Sequence, residues 1–502
     1  MAVIGAGAMG SGIAQVAARA GHRVLLFDTR LGGAEDARKR IGADLDRLAQ
    51  KGKLDPAQAR SVAERIVCVH ALGDCALAAL VIEAIVEDLD AKQELLSEIE
   101  RVVSDRTILA SNTSSFSITA LGARCRRPER VVGMHFFNPA PVLALVEVVS
   151  GLATSTDTAQ CIYATAQRWG KKPVHAKSTP GFIVNRCARP FYGEALRLLA
   201  ERAADVATLD AVMRETGGFR MGPFELIDLI GLDVNFAVTR SVWQAFFHDP
   251  RYTPSGLQQE LVAAGRLGRK SGRGFYDYAK DAQPLAPQSA PPCPAPLRVI
   301  VHGKTDAASA LVERMTGAGI EVQEAPRHPV LGDGAIETGP GWLVPTDGRT
   351  ATARAATAGL PNVVVFDLAL DYGRCTRMAV AFADGCDQDA GNAAVGALQK
   401  AGMAISRLDD VAGLCVMRTV ALLANEAADA VTQAIATPQD IDAAMCDGVN
   451  YPRGPLAWAD TVGPARVRDV IANLGAHYGE DRYRVSPLLL RRAASGTPLR
   501  AS

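Results

Sequence analysis

The strongest constraint on this chain is the run Gly5-Ala6-Gly7-Ala8-Met9-Gly10, which follows the apolar residues Ala2–Ile4 and opens a helical stretch. Glycine at these three positions suits a strand that turns sharply into a helix. Gly5 permits the turn, Gly7 lets a bound group approach the backbone, and Gly10 lets helix and strand pack closely. The unpaired amides at the helix start, including those of Ala8 and Met9, then form a site for phosphate. A second apolar strand, HRVLLF, ends at Asp28. A carboxylate there accepts hydrogen bonds from ribose hydroxyls and repels a 2′-phosphate. The pattern therefore points to NAD rather than NADP, although Arg30 lies close enough to weaken that preference. The plainer alternative is a Gly-rich turn that holds no ligand.

Alternating strand and helix signals continue to about Gly151. The strand candidates are Ala2–Ile4, Arg23–Phe27, Leu80–Ile85, Thr107–Ala110, Arg130–His135 and Leu145–Val149, with amphipathic stretches such as Ala91–Val103 between them. That alternation predicts a mostly parallel sheet covered by helices on both faces. From about Thr154 the pattern is helical, clearest in Ala188–Glu201 and Thr208–Glu215, and GRKSGRGFYDY (Gly268–Tyr278) closes this half. Asp281–Pro296, rich in Pro and Ala, reads as a linker. A second α/β stretch follows, with LRVIVHG (Leu297–Gly303) and NVVVFDLAL (Asn362–Leu370) as buried strands, and from about Leu408 the chain turns helical again.

This last segment repeats an earlier one. A shift of 232 residues, without gaps, sets Gly181 on Gly413, Arg186 on Arg418, Glu194 on Glu426, Asp210 on Asp442 and Met213 on Met445. Gly222-Pro223 falls on Gly454-Pro455, Asp228 on Asp460 and Gly231 on Gly463. Two copies of one helical domain are therefore expected. The expected organisation is an α/β domain over 1–152, a helical domain over 153–280, a linker over 281–296, a degenerate α/β domain over 297–405 and a second, non-catalytic helical domain over 406–502.

Lys and Arg together number 54, as do Asp and Glu. Without a net field, neither nucleic acid nor a membrane surface is an expected partner, and an anionic ligand has to be held by local donors. Ten cysteines are scattered without a CxxC pair or a Cys/His cluster, which argues for reduced thiols in a cytoplasmic protein and against a metal site. The uncharged opening MAVIGAGAMGSGIAQVAA lacks a basic leading region and carries Ser11 and Gln15, so no targeting or membrane-spanning segment is read. With the first strand at Ala2, a few natural residues are expected ahead of Met1.

His135 ends an apolar strand in RVVGMHFFNPAP, the place where open α/β sheets bind ligands. The next strand, LALVEVV, carries Glu147 where alternation would favour an apolar residue. A charge amid Leu and Val is costly unless paired, and the nearest candidate cation is a protonated His135. An imidazole that takes a hydroxyl proton, with a carboxylate to fix its tautomer, is what alcohol oxidation needs. A core histidine beside a glutamate paired elsewhere accounts for the same spacing. Ser114, in ILASNTSS behind another strand, is either a donor to a substrate oxygen or a helix cap. Asn185, in PGFIVNR, is either an amide that reaches the substrate or a helix-end hydrogen bond. Met417 stands in its place in the repeat while Gly413 and Arg418 stay, which suggests that folding does not need the amide. A ligase or transferase would need a phosphate-binding Lys loop or an activated Cys or Ser motif, and neither is found.

Together the segments VIGAGAMGSGIA, LVIEAIVE, LASNTSS, GMHFFNPAPV, LVEVV, TPGFIVNR, GPFELIDLIGLD and GRKSGRGFYDY, between Ala2 and Tyr278, resemble the 3-hydroxyacyl-coenzyme A dehydrogenase family. The resemblance implies a Rossmann-type first domain, NAD as cofactor, an acyl-coenzyme A substrate, His135 as base, Glu147 as its partner, and Ser114 and Asn185 as ligands of the substrate oxygen. It also implies that Glu87, Lys92 and Asn112 contact the cofactor and that Lys51, in KGKL, meets coenzyme A phosphate. From the residues alone, Glu87 and Lys92 read equally well as an exposed pair, and Lys51 as a solvated loop charge.

The length and the degenerate second half look like the tandem members of the family associated with phenylacetate breakdown. That likeness implies 3-hydroxyadipyl-coenzyme A as substrate, with 3-hydroxybutyryl-coenzyme A as the shorter option. Arg189 is the candidate cation for the second carboxylate of an adipyl chain, and a surface salt bridge is the simpler role for it. Residues Leu297–Ala401 carry no GxGxxG, no HFFNP and no Ser/His/Glu set, so this half is expected to bind no dinucleotide. Family members resemble dimers joined through their helical domains. The second copy is therefore expected to take the partner's place, giving a monomer with an internal pseudo-dimer, with a homodimer as the alternative. A dehydrogenase of a free hydroxy acid or sugar acid, and a non-catalytic NAD-binding protein, are the competing functions.

Overall fold

The apolar run Ala2–Ile4 forms β1, the first strand of a sheet that also contains β2 Val24–Phe27, β3 Ile66–Cys68, β4 Leu80–Glu83, β5 Ile108–Ser111, β6 Val131–Phe136, β7 Leu145–Ser150 and β8 Lys172–Lys177. The computed structural model describes residues 1–305 and 308–501; Asp306, Ala307 and Ser502, which fall within the third and last expected domains, lie outside the described residues. The strand order is β3-β2-β1-β4-β5-β6-β7-β8. The first six strands of the chain run parallel, β7 is antiparallel to β6, and β8 is parallel to β7. The inner strands are apolar on both faces, as a sheet covered on both sides by helices requires, with Val3, Leu26, Ile82, Val132 and Met134 fully buried.

Two strands of this sheet were not read from the sequence. β3 is three residues long, too short to show a period. β8, KPVHAK, is an outer strand whose two terminal lysines are exposed, and the mixed composition hides it. The sheet therefore runs past Gly151 to Lys177, with the helix Thr156–Arg168 between β7 and β8.

The chain forms two units. The first comprises Met1–Arg186 and Gln433–Val449. Its second piece brings the helix Pro438–Val449, from the second copy of the repeat, onto the sheet. A Cβ on Gly448 would lie 2.5 Å from Leu145 Cδ2, so glycine permits the close approach. Lys172 Nζ meets Asp447 Oδ1 at 2.7 Å, and Lys177 N donates to Ile435 O at 2.9 Å.

The second unit comprises Cys187–Thr432 and Asn450–Ser502. Its sheet holds β9 Arg298–His302, β10 Glu321–Ala325, β11 Ala335–Glu337, β12 Trp342–Pro345, β13 Val363–Phe366, β14 Arg377–Phe382 and β15 Ala404–Arg407, in the order β10-β9-β11-β12-β13-β14-β15. The 232-residue shift carries β7 onto β14 and the first residues of β6 and β8 onto those of β13 and β15. The pairing senses agree as well, since β13 is antiparallel to β14 and β14 parallel to β15. The repeat thus reaches back into the degenerate α/β segment. On β14 lies the helix Val206–Glu215 of the first copy. Just after it, Thr216 Oγ1 donates to Arg377 O at 2.8 Å, and Leu370 N donates to Thr216 O at 3.0 Å. Shifted by 232, this helix falls within Pro438–Val449. Each copy thus lays the same helix on the strands of the other.

The polar positions that survive in the repeat have structural work. Arg418 is fully buried, pairs with Glu194 Oε2 at 2.7 Å and Glu201 Oε2 at 3.1 Å, and stacks 4.8 Å over the Tyr478 ring. Asp228 accepts the amides of Phe275 and Tyr276, and Asp460 likewise accepts those of Leu499 and Arg500. Losing such an acid would leave two backbone donors without a partner.

Candidate functional site

The carboxyl ends of β1, β2, β4, β5 and β6 share one edge of the first sheet, and the strand order reverses between β1 and β4, where such sheets bind ligands. At that edge the three glycines divide their work. Gly5 has φ +97°, and a Cβ there would lie 2.6 Å from Ala84 O; at Gly10 it would lie 1.8 Å from Gly5 O; at Gly7 it would meet nothing within 4 Å. The turn is therefore closed at Gly5 and Gly10 and open at Gly7, on the side from which a pyrophosphate would approach. Gly7 precedes the helix Ala8–Arg19, and no side chain caps its first turn, leaving those amides for an anion.

Asp28 Oδ2 accepts from Ala6 N at 2.7 Å and Oδ1 from Arg30 N at 2.8 Å, which holds the carboxylate beside the glycine turn. The Arg30 guanidinium turns instead to Asp36, 3.0 Å away. An acid at the strand end with the nearby arginine occupied fits NAD.

Lys92 is buried between Glu83 at 2.9 Å and Glu87 at 3.2 Å while Glu87 is exposed, so the alternative of an exposed pair fails for the lysine alone. Glu83, itself buried, also accepts from Ser111 Oγ. Glu87 Oε1 accepts from Thr113 Oγ1 at 2.7 Å, Ser114 N at 3.0 Å, Ser115 N at 3.2 Å and Ser115 Oγ at 2.8 Å. Burial pushes the Glu87 carboxyl up, but the Lys92 ammonium and these donors outweigh it and hold the group below its ordinary range. The loop behind β5 is thus tied down by one carboxylate. Ser114 is not a helix cap: the helix Ile118–Gly122 is capped by Ser117, whose hydroxyl accepts from Ala120 N at 3.3 Å. Asn112 Oδ1 accepts from Phe136 N at 2.8 Å and links the ends of β5 and β6.

Antiparallel register places His135 directly opposite Glu147. His135 Nδ1 lies 2.6 Å from Glu147 Oε2, with the two residues 5% and 0% exposed. The other oxygen, Oε1, accepts from Ile183 N and Val184 N, each at 3.0 Å. The imidazole also contacts the rings of Phe137 and Phe182, with centroids 4.4 and 5.8 Å away. Its Nε2 has no hydrogen-bond partner among the described residues. The two amides held by Glu147 open the short helix Val184–Cys187, which carries Asn185, and Asn185 Nδ2 donates to Ser114 O at 3.4 Å. His135, Glu147, Ser114 and Asn185 are therefore linked through the ends of β5, β6 and β7. Lys51 follows the helix Gly33–Gln50 and is exposed.

Glu83, Ser111 and Thr113 were not picked out from the sequence, although an acid in LVIEAIVE, set like Glu147 among apolar residues, carried the signal. Lys171 was also missed. Its Nζ donates to Ala140 O at 2.6 Å and Leu143 O at 2.8 Å, fixing the turn between β6 and β7, and burial lowers its pKa to about 8.

The second copy shows what the dyad becomes without its histidine. Asp367 stands 232 residues after His135, and Ala379 the same distance after Glu147. Asp367 accepts from Cys415 N at 2.9 Å, Val416 N at 2.7 Å and Met417 N at 2.9 Å. The first two correspond to Ile183 and Val184. One carboxylate thus holds the helix start, and no imidazole is present. Among the described residues, no group of His, Cys, Asp and Glu could hold a metal ion, and no helix is long and apolar enough to cross a membrane.

Residues 1–179 match the NAD binding domain of 3-hydroxyacyl-CoA dehydrogenase, and residues 181–278 and again 413–502 match the C-terminal domain of that family. Residues 343–411 match the 3-hydroxybutyryl-CoA dehydrogenase reduced Rossmann-fold domain. The chain is 43% identical over 494 residues to 3-hydroxyadipyl-CoA dehydrogenase of Escherichia coli (strain K12), covering 98% of this chain and 97% of that protein. It is 45% identical over 276 residues to the probable 3-hydroxybutyryl-CoA dehydrogenase of Bacillus subtilis (strain 168), covering 55% of this chain and 96% of the relative. The crystal structure of 3-hydroxybutyryl-CoA dehydrogenase from Escherichia coli K12 superposes with a TM-score of 0.89 at 42% identity, covering 99% of this chain and 98% of that one. With its glycine turn, its duplicated helical domain and kinship along its whole length, the chain belongs to the 3-hydroxyacyl-CoA dehydrogenase family and is an NAD-dependent enzyme of that kind.

Proposed function

We propose that the chain oxidises the 3-hydroxyl of an (S)-3-hydroxyacyl-coenzyme A thioester to the 3-oxo thioester, with His135 as general base and Glu147 as its partner. The 2.6 Å bond between His135 Nδ1 and Glu147 Oε2 carries this assignment. Nδ1 donates its proton to the carboxylate, so the neutral ring offers the Nε2 lone pair to a hydroxyl. As the O–H bond breaks, its proton passes to Nε2 and the ring becomes a cation. Glu147, fixed by the amides of Ile183 and Val184, stabilises that charge. NAD, when bound, accepts the hydride from C3.

Ser114 Oγ and Asn185 Nδ2 are the donors assigned to the substrate oxygen. Gly5, Gly7, Ala8, Met9, Gly10 and Asp28 hold the cofactor's phosphates and adenine ribose, while Glu87, with Lys92 behind it, fixes the loop from Asn112 to Ser115. The acyl chain is of the 3-hydroxyadipyl or 3-hydroxybutyryl type, after the names of the relatives. The reciprocal helix exchange supports one chain as a pseudo-dimer.

The test uses the full chain with NAD and, in turn, 3-hydroxyadipyl-coenzyme A, 3-hydroxybutyryl-coenzyme A and free 3-hydroxybutyrate. Both thioesters are expected to turn over and the free acid is not. His135→Ala should still bind NAD and lose turnover by about 10²–10⁴-fold. Oxidation of the free acid as fast as the thioester, or full turnover in His135→Ala, would overturn the proposal. A solution mass of two chains would replace the single-chain pseudo-dimer with a homodimer.

A further inference from the structure

Arg189 opens the helix Arg189–Ala200 in the second unit. The simpler role expected for it was a surface salt bridge, yet it is only 6% exposed, and no carboxylate among the described residues pairs with it. Its Nη1 donates to Thr239 Oγ1 at 2.8 Å, its guanidinium lies 4.9 Å from the centre of the Tyr192 ring, and its Nε has no partner. Burial without an acid is costly for arginine and pulls its pKa down.

The arginine lines a cleft of about 330 Å³, large enough for a short aliphatic chain, whose walls include Tyr192, Leu196 and Pro254. Three further arginines line the same cleft, and each has an acid: Arg197 with Glu480 at 2.6 Å, Arg251 with Glu426 at 3.3 Å and Arg482 with Glu194 at 3.4 Å. Acids are thus supplied for the neighbours and withheld from Arg189. The unused Nε and the remaining guanidinium donors have the fork geometry that a carboxylate matches with both oxygens.

We propose that this cleft binds the carboxylate of a short aliphatic acid, with the Arg189 guanidinium as its partner. The ligand class is a free short-chain dicarboxylate such as adipate.

The experiment compares the full chain with Arg189→Met and Arg189→Lys. Its first arm is thermal melting with adipate and with neutral adipamide. Its second is calorimetric titration of each chain with adipate. Arg189→Met should weaken adipate binding on the order of 10- to 100-fold, the worth of one hydrogen bond to a charged group, and Arg189→Lys should weaken it less. Adipate but not adipamide should raise the melting temperature of the parent chain and not of Arg189→Met.

Without ligand, Arg189→Met exchanges an unpaired buried cation for an apolar side chain and should melt no lower than the parent. The absence of any adipate effect on the parent chain overturns the proposal, and a lower melting temperature in Arg189→Met then makes the arginine a structural residue.

Discussion

Glu147→Gln removes one charge and keeps nearly the same shape. In the native site Oε2 meets the imidazole at 2.6 Å, where two unit charges interact by about 6 kcal/mol at an effective dielectric constant of about 20. Both charges are spread over two atoms, so about half of that, about 3 kcal/mol, is a realistic share. The imidazolium exists only once the hydroxyl proton has moved, so the loss falls on the barrier and slows turnover by about 10²-fold. If the ring also takes the wrong tautomer, the loss extends toward about 10⁴-fold. The glutamine has a single acceptor oxygen. Turned to the imidazole, it presents its amide N–H groups to Ile183 N and Val184 N, and the unmade bonds cost about 1–3 kcal/mol of stability. The assay is NADH absorbance in single turnover of the full chain, beside NAD titration and calorimetric melting. Slow turnover, ordinary NAD affinity and a lowered melting temperature are expected. A folded variant with the parent's turnover would refute the dyad.

Gly7→Ala and Gly10→Ala should part company: the first keeps the melting temperature and loses NAD affinity, since its Cβ meets no protein atom. The second should be destabilised by about 1–3 kcal/mol, because its Cβ would sit 1.8 Å from Gly5 O; calorimetry and NAD titration distinguish them, and equal melting losses would contradict the division of roles. The Glu87 carboxyl is held below its ordinary 4.5, so its stabilisation is present above that pH and is lost as pH falls through the lower folded value. Urea melts across a pH series should show the parent more stable than Glu87→Gln above pH 4.5 and the two converging below it, whereas a gap independent of pH would refute the assignment. Residues 1–285 expressed alone lack the helix Pro438–Val449 and should pair with a second copy, whose helix Val206–Glu215 takes its place. Light scattering should find a concentration-dependent dimer, and a fully active monomer would count against the exchange.

Much of the site was legible because its chemistry requires residues that the surrounding pattern does not favour. Glu147 in an apolar strand and glycine at positions 5 and 10 are such residues, and the structure finds each with the contact that explains it, whereas Gly7 faces open space. The part of the sheet that escaped notice, β3 and β8, is short or sits at an outer edge, where burial imposes no clear period. Lys92 read as a surface charge because nothing in the sequence tells a lysine that two carboxylates will be folded around it. Arg189 read that way too, although the fold buries it without any carboxylate among the described residues. Ser114 looked like a cap because capping and ligand-binding hydroxyls occupy the same place behind a strand; only the observed bond from Ser117 separates them. The repeat was visible where polar groups hold backbone amides. It faded in β13 to β15, where apolar residues exchange freely and register survives only in the strands themselves.

The crossing of helices between the two copies sets a timetable for synthesis. The last strand of the first sheet is complete at Lys177, but the helix that covers β7 and β8 starts only at Pro438. Some 260 residues of translation, about 13–50 s at 5–20 residues per second, separate the two. Through that interval the nascent sheet keeps an apolar face uncovered, and a neighbouring polysome can offer it the corresponding helix from another chain. Crowded ribosomes and fast initiation therefore favour entangled pairs of this protein, and slower initiation favours chains that close upon themselves.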